Sequence, residues 1–339
     1  MVRKLVVVMA VFMFMMPGGS FGQEGLGILL INDDGIDARG LHTLKERLEE
    51  AGHTVTVVAP SGNASASSSA TNLGGTFLIE PYDKGDAIEN EYSVSRTTFQ
   101  QEAIDPVPGT PADCLIASAS ILDSAPDLII SGINDQHNTG KAVQFSGTVG
   151  GALSATSKLS PYDKVPSISV NLEGIFFSDP DEASADFEKV FDDAADFTVN
   201  LIKRLQESAV SGGGGLLPQG ITLNVNYPAR PLEEIKGVRY RRQGDTYLVR
   251  FDDGTGEYPV RSIRSVPEVL SQDESGAMEI QSVVTIIDAN ETARRADTED
   301  LVDGYITIVP LDGDYTARSR DRSNVRRRIG ALNSLLHED

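Results

Sequence analysis

Short apolar runs alternate along this chain with longer stretches in which apolar residues recur every three or four positions. The first run, Gly27-Ile28-Leu29-Leu30-Ile31, stops at Asn32-Asp33-Asp34-Gly35. Short, apolar without alternation and closed by turn residues, it predicts a parallel strand buried on both faces. Leu41, Leu44, Leu48 and Ala51 then share one face of a 3.6-residue repeat, with Lys45, Glu46, Arg47 and Glu49 opposite. That pattern predicts an amphipathic helix closed by Gly52. His53 to Pro60 is the next apolar strand, and strand, helix and strand in this order form a βαβ unit.

The theme continues downstream. Thr76 to Ser95 alternates and predicts a hairpin lying over the end of the first strands. Ala112 to Leu122 predicts a short helix, and Pro126 to Ser131 a strand running into Gly132-Ile133-Asn134. Val165 to Asn171 and Gly220 to Asn226 predict further strands. Between them, Ser184 to Leu205 predicts a helix that turns Phe187, Val190, Phe191, Ala194, Thr198, Leu201 and Leu205 inward. After Pro231 the pattern changes, and residues 238–242, 246–251 and 258–263 predict antiparallel strands, an appendage over about residues 232–300. Tyr305 to Pro310 is the last strand, and Val325 to Leu336 predicts a closing helix. The expected fold is α/β: a Rossmann-like, mostly parallel sheet flanked by helices, with a smaller antiparallel hairpin appendage in the C-terminal third.

The two ends read differently from this body. Arg3 and Lys4 precede an uninterrupted apolar run, Leu5 to Met16, broken by Pro17-Gly18-Gly19 and followed by a small-x-small site at Ser20-Phe21-Gly22. The run is too short to span a bilayer as a stable helix, so residues 1–22 predict a secretory leader and a protein exported to the periplasm or medium. Cys114 is the only cysteine. An exported chain with one cysteine has no intrachain disulfide, and a leader without cysteine excludes a lipoprotein anchor. At the other end, residues 318–339 carry Arg318, Arg320, Arg322, Arg326, Arg327 and Arg328, at a spacing expected of a solvated helix face or subunit contact.

Charge removes whole classes of partner. The formal net charge is −21, and loss of the leader would take away two cations and no acid. Such a field repels nucleic-acid polymers and offers no basic patch to an anionic membrane, so neither a polymer partner nor a stable membrane anchor is expected.

The candidate chemistry gathers at predicted strand ends. In open α/β sheets ligands sit beyond the carboxyl ends of the strands, where Asp33 and Asp34 fall, although Asp-Asp-Gly is also an ordinary turn. Ser61 to Thr71, rich in serine, follows the second strand as either a linker or a site loop. Ser146-Gly147-Thr148-Val149 reads as a serine-capped helix start whose free N–H groups face whatever lies ahead of it.

Taken together, Ile31-Asn32-Asp33-Asp34-Gly35, Ala59-Pro60 with Ser65 five residues on, Gly109-Thr110-Pro111-Ala112-Asp113-Cys114, Pro126 to Asn134, Ser146-Gly147-Thr148-Val149, Leu223 to Pro228 and Gly304 to Leu311 resemble the SurE family over roughly residues 26–317. That family comprises metal-dependent 5′/3′-nucleotidases. The resemblance implies a phosphomonoesterase of nucleoside 5′- and 3′-monophosphates, assembled as a homodimer or homotetramer. It places one divalent cation per subunit, Mg²⁺, Mn²⁺ or Ca²⁺, on Asp33, Asp34, Ser65 and Asn134, oxygen donors suited to a hard ion. Asn138, Ser146, Gly147 and Thr148 would then hold the phosphate, and Asp33 or Asp34 would serve catalysis, with Asp34 the better candidate for positioning or activating water. Three departures from the family pattern are visible: Gln136 where a glycine is usual, His137 where proline is usual, and Asp37 with Arg39 after the Asp-Asp-Gly turn. His137 is either a loop residue or an acid for the leaving oxygen. The competing readings are an exported metal- or nucleotide-binding module without turnover, and a broad acid phosphatase with no nucleotide preference.

Overall fold

In a computed structural model the described residues are 25–83, 87–97, 106–162, 165–176, 185–212, 214–251, 260–272, 278–287 and 291–313. The predicted leader (1–22) and the predicted basic C-terminal helix (318–339) lie outside them.

Apolar runs form the central strands. Strand β1 (Gly27–Ile31) lies between β2 (Thr54–Pro60) and β6 (Leu128–Asn134), parallel to both, with Ile28 to Leu30 opposite Val55 to Val57 and Leu128 to Ile130. Its side chains divide between two cores. Ile28 and Leu30 face helices α1 (Arg39–Glu50) and α4 (Ala185–Gly212), packing with Leu41, Leu44, Leu48 and Phe191. Leu29 and Ile31 face the other side, with Cys114 and Leu115 of α2 (Pro111–Ser118) and Ala155 of α3 (Gly147–Thr156). Burial on both faces is why this strand has no polar alternation.

The sheet extends from β6 through β7 (Ser167–Leu172) to β9 (Thr222–Tyr227), all parallel, then to β14 (Ile306–Leu311), antiparallel to β9. From β2 it extends to β4 (Ala87–Thr97), parallel, and β3 (Thr76–Asp83), antiparallel, with the short β5 (Val107–Pro108) also on β4. The chain therefore winds one way from β1 to β2 and the other way from β6 onward, so the switch point lies at the β1–β6 junction, where a crevice opens at the strands' carboxyl ends.

Two placements differ from expectation. The hairpin of residues 76–95 continues the sheet beside β2 instead of covering the site, because β4 pairs Glu91 to Val94 with Val57 to Pro60 and buries Val94. Buried Glu91 is matched there by Lys45 at 3.0 Å. Residues 238–242 supply β10 (Val238–Tyr240), which joins the main sheet parallel to β14 and not the appendage. The second sheet holds β13 (Met278–Ile287), β12 (Val260–Gln272) and β11 (Leu248–Phe251), and recruits β8 (Ile175–Phe176) from just after β7.

Candidate active site

Asp33 and Asp34 leave β1 at the switch point, and the turn after them is tightly built. Gly35 takes φ +106°, and a Cβ there would lie 3.0 Å from the backbone of Gly62, so glycine is needed for both its conformation and the close approach. Ile36 N–H donates to Pro60 O (2.8 Å) and Ala64 N–H to Asp33 O (2.7 Å), tying the β1 turn to the loop after β2. The serine-rich segment is thus a built loop. Farther along it, Ser69 Oγ donates to Gly150 O, and Thr71 and Asn72 both donate to Asp113. Ala66 and Ser68 hold φ of 61° and 51°, backbone strain tolerated only because these contacts fix the path. Ser65, exposed, sits between the two anchored ends with its N–H on Asn63 Oδ1.

Helix α3 meets Asp33 end-on. Ser146 caps it by accepting from Val149 N–H. Thr148 donates its hydroxyl to Asp33 Oδ1 at 2.6 Å, and its backbone N–H bonds the same carboxylate. The approach is close: a Cβ on Gly147 would lie 2.6 Å from Asp33 Oδ2 and 2.7 Å from Ser67 Oγ. So the helix start does address an anion, but that anion includes the protein's own Asp33.

From β6, Asn134 donates its amide nitrogen to Gln136 O, which commits Nδ2 and leaves Oδ1 as the donor it can offer an ion. Asp135 follows, a residue with no assigned part in the sequence reading. Its carboxylate acts on both Asp33 and Asp34, so three acids share this end of the sheet. Burial is the first cause raising Asp33, opposed by the Thr148 bonds. Burial, then Asp135, then Asp33 push Asp34 up to about 8. Asp135, at the solvent edge, is raised by burial as well. Both charged groups that raise Asp34 are carboxylates. Among the described residues no group of three or more His, Cys, Asp and Glu forms a metal-binding set by itself. The expected set has two carboxylates, with neutral hydroxyl and amide oxygens beside them. Carboxylates crowded together beside an amide oxygen fit a hard divalent cation.

Asn138 is placed differently from the other candidates. Its N–H donates to Asn226 Oδ1 (2.7 Å), its Nδ2 to Asn171 Oδ1 (2.7 Å), and its carbonyl accepts from Asn224 (2.7 Å). Asn171 in turn donates to Val225 O, which fixes its amide and requires Asn138 to be the donor. Asn138 therefore anchors its loop to the ends of β7 and β9, with one amide hydrogen left for an anion. His137 is not an open loop residue. It is buried, its Nε2 is 2.7 Å from Leu248 O, and its ring lies 4.8 Å from that of Tyr247. It joins the loop to β11.

Beside Asp34 and Asp135 lies a cleft of about 460 Å³, lined also by Asp37, Arg39, Asn63 and Phe191. Arg39 stacks over Phe191 at 5.7 Å and Tyr82 holds Asp37. Both residues that depart from the family pattern after the turn thus border this cleft. Its size suits a small organic substrate.

Known proteins resemble the chain along most of its length. A family model described as survival protein SurE matches residues 28–250. A protein named 5′-nucleotidase SurE from Actinobacillus pleuropneumoniae serotype 5b (strain L20) is 32% identical over 297 residues, covering 86% of this chain and 96% of that protein. One of the same name from Gloeobacter violaceus is 34% identical over 296 residues, covering 85% and 90%. Among solved structures, the SurE protein of Aquifex aeolicus superposes with a TM-score of 0.61 at 26% identity, covering 89% of this chain and 99% of that one.

Proposed function

The chain belongs to the SurE family, and from that premise we propose that it is a metal-dependent 5′-nucleotidase, acting also on 3′-monophosphates, with its reacting centre at Asp33 and Asp34. The observation that carries this reading is the convergence of two adjacent carboxylates, Asn134 and the α3 start on one crevice. Asp33, Asp34, Ser65 and Asn134 would hold one divalent ion, Mg²⁺, Mn²⁺ or Ca²⁺. Such an ion, when bound, neutralises charge on the phosphoryl oxygens and lowers the pKa of water.

The chain's own residues supply the rest. Thr148 fixes Asp33, so that carboxylate keeps one orientation through the reaction. Asp34 borders the open cleft and is the residue placed to orient the attacking water, with Asp135 beside it. The phosphate binds beside the α3 start, where the capping Ser146 retains its hydroxyl hydrogen. The nucleoside occupies the cleft toward Arg39 and Phe191. We further propose that the protein works outside the cytoplasm after leader removal, and as a homodimer or homotetramer.

The test is phosphate release from AMP, 3′-AMP and p-nitrophenyl phosphate, each with and without EDTA. Release from the nucleotides that EDTA abolishes and Mn²⁺ restores is the expected result. Equal rates on p-nitrophenyl phosphate would replace nucleotidase by general phosphatase, and no release from any would leave a binding module.

A further inference from the structure

We propose a second anion site, separate from the acid pair, in the pocket between the 3-10 turn Gly140–Gln144 and the edge formed by β10 and β14, with an organophosphate as its ligand. The pocket measures about 500 Å³ and shares no lining residue with the cleft beside Asp34. Lys141, Arg241, Arg242 and Gln243 make its polar side, and Asp312 is the acid on its lining. The net surplus of donors stands out in a chain of formal charge −21.

Lys141 lies near Asp245, and the guanidinium groups share a carboxylate. Asp300 receives Arg239 and Arg241 together, so one carboxylate answers two guanidinium groups. Arg295 adds a third positive charge acting on Arg241. Lys141 and Arg242 are exposed, and Lys141 is fixed at its backbone by donating to Thr246 O. Gln243 is fixed through its side chain, which donates to Gly140 O at 2.7 Å. The donors stand on backbone that is already anchored, and a bound phosphate would gain charge-assisted hydrogen bonds in return for ordering the exposed Lys141 and Arg242 side chains.

The rest of the lining selects the kind of anion. Leu153, Ile221 and Val309 form an apolar wall, and Tyr240, 70% exposed, stands at the rim. Inorganic phosphate would satisfy the cations and leave that wall wet. A phosphate carried on an apolar or aromatic body covers both.

Calorimetric titration of the intact protein with a non-hydrolysable phosphonate analogue of AMP, and separately with inorganic phosphate, tests this. Wild type should show one site that Lys141→Ala/Arg242→Ala lacks, and either single substitution should weaken that site about tenfold or more, the loss of one hydrogen bond to a charged group. The Lys141→Gln/Arg242→Gln variant, with folding verified by circular dichroism, repeats the comparison without shortening the side chains to a methyl group. Superimposable titrations of wild type and both double variants overturn the proposal. Binding of inorganic phosphate at the variant-sensitive site as tight as that of the analogue also overturns it. Site counting does not require turnover, so failure here is distinct from failure of the nucleotidase reading.

Discussion

Thr148 donates its hydroxyl to Asp33 Oδ1 at 2.6 Å, joining the first turn of α3 to the end of β1 across 115 residues of chain. A hydrogen bond to a buried charge is worth about 1.5–3 kcal/mol. Thr148→Val keeps the shape and removes the donor, so Asp33 gains freedom and loses a stabiliser of its ionised form. We expect kcat on AMP to fall about tenfold or more, with the circular dichroism spectrum unchanged. Steady-state kinetics at saturating Mn²⁺ checks it, and wild-type kcat in a folded variant would show that the bond has no catalytic weight.

Gly147→Ala probes the same contact by sterics. The new methyl would stand 2.6 Å from Asp33 Oδ2 and 2.8 Å from Asp33 Cβ, and Asp33 is held too firmly to yield cheaply. Activity should drop more than stability: on the order of 10²-fold in kcat/KM for a displacement near 1 Å. Ala at Gly214, where no atom lies within 4 Å of an added Cβ, is the control and should behave as wild type.

The acid pair was legible because its strand is an unbroken apolar run and its turn is written in adjacent residues. Asp135 was not. It follows Asn134 directly, yet its effect on Asp33 depends on β6 lying parallel to β1 with Ser131 opposite Ile31, a register that no local pattern encodes. An acid beside a presumed ligand was the available signal. The helix start holding Thr148 was legible, and the carboxylate that Thr148 meets here is that of Asp33. Strand β10 was assigned to the wrong sheet because three largely exposed residues carry almost no periodic signal, and their pairing with β14 spans some 68 positions of chain. Asn138 shows the same limit. Its partners Asn171, Asn224 and Asn226 come from two distant strands, so its anchoring role emerges only when the sheet is assembled.

Metal should be visible in stability as well as in rate. Burial and the neighbouring Asp135 carboxylate raise both acids of the pair, and an ion binding the folded state alone adds RT ln(1 + [L]/Kd), about 2.7 kcal/mol at a hundredfold excess over Kd. Thermal unfolding in Mn²⁺ against EDTA should show a clear rise for wild type and a reduced rise for Asp33→Asn and Asp34→Asn. Both variants should also lose on the order of 10²-fold in kcat. Ser65→Ala should lose less, since water can replace a neutral ligand. Identical Mn²⁺ responses in wild type and both Asn variants would move the ion elsewhere.

The clearest pH signature should come from Asp297, remote from the acid pair. It is fully buried, and its Oδ1 accepts from Gly140 N–H at 3.2 Å and Gly244 N–H at 2.8 Å, tying the turn before α3 to the segment after β10. Burial pushes its pKa up to about 6, with those N–H bonds opposing. The folded state thus holds this proton more tightly than the unfolded chain does. The resulting stabilisation is complete below the unfolded value near 4 and is lost as pH rises through about 6. Above that, ionised Asp297 costs the fold on the order of 2–3 kcal/mol relative to its protonated form. Asp297→Asn keeps an oxygen for Gly140 and Gly244 and never ionises. Its stability minus that of wild type should therefore climb between pH 4 and 6 and level off by pH 7, a difference from which the other titrating acids cancel. Urea unfolding at half-unit pH steps measures it. A difference that stays flat, or that falls with rising pH, would mean that the two N–H donors of Asp297 match or outweigh its burial.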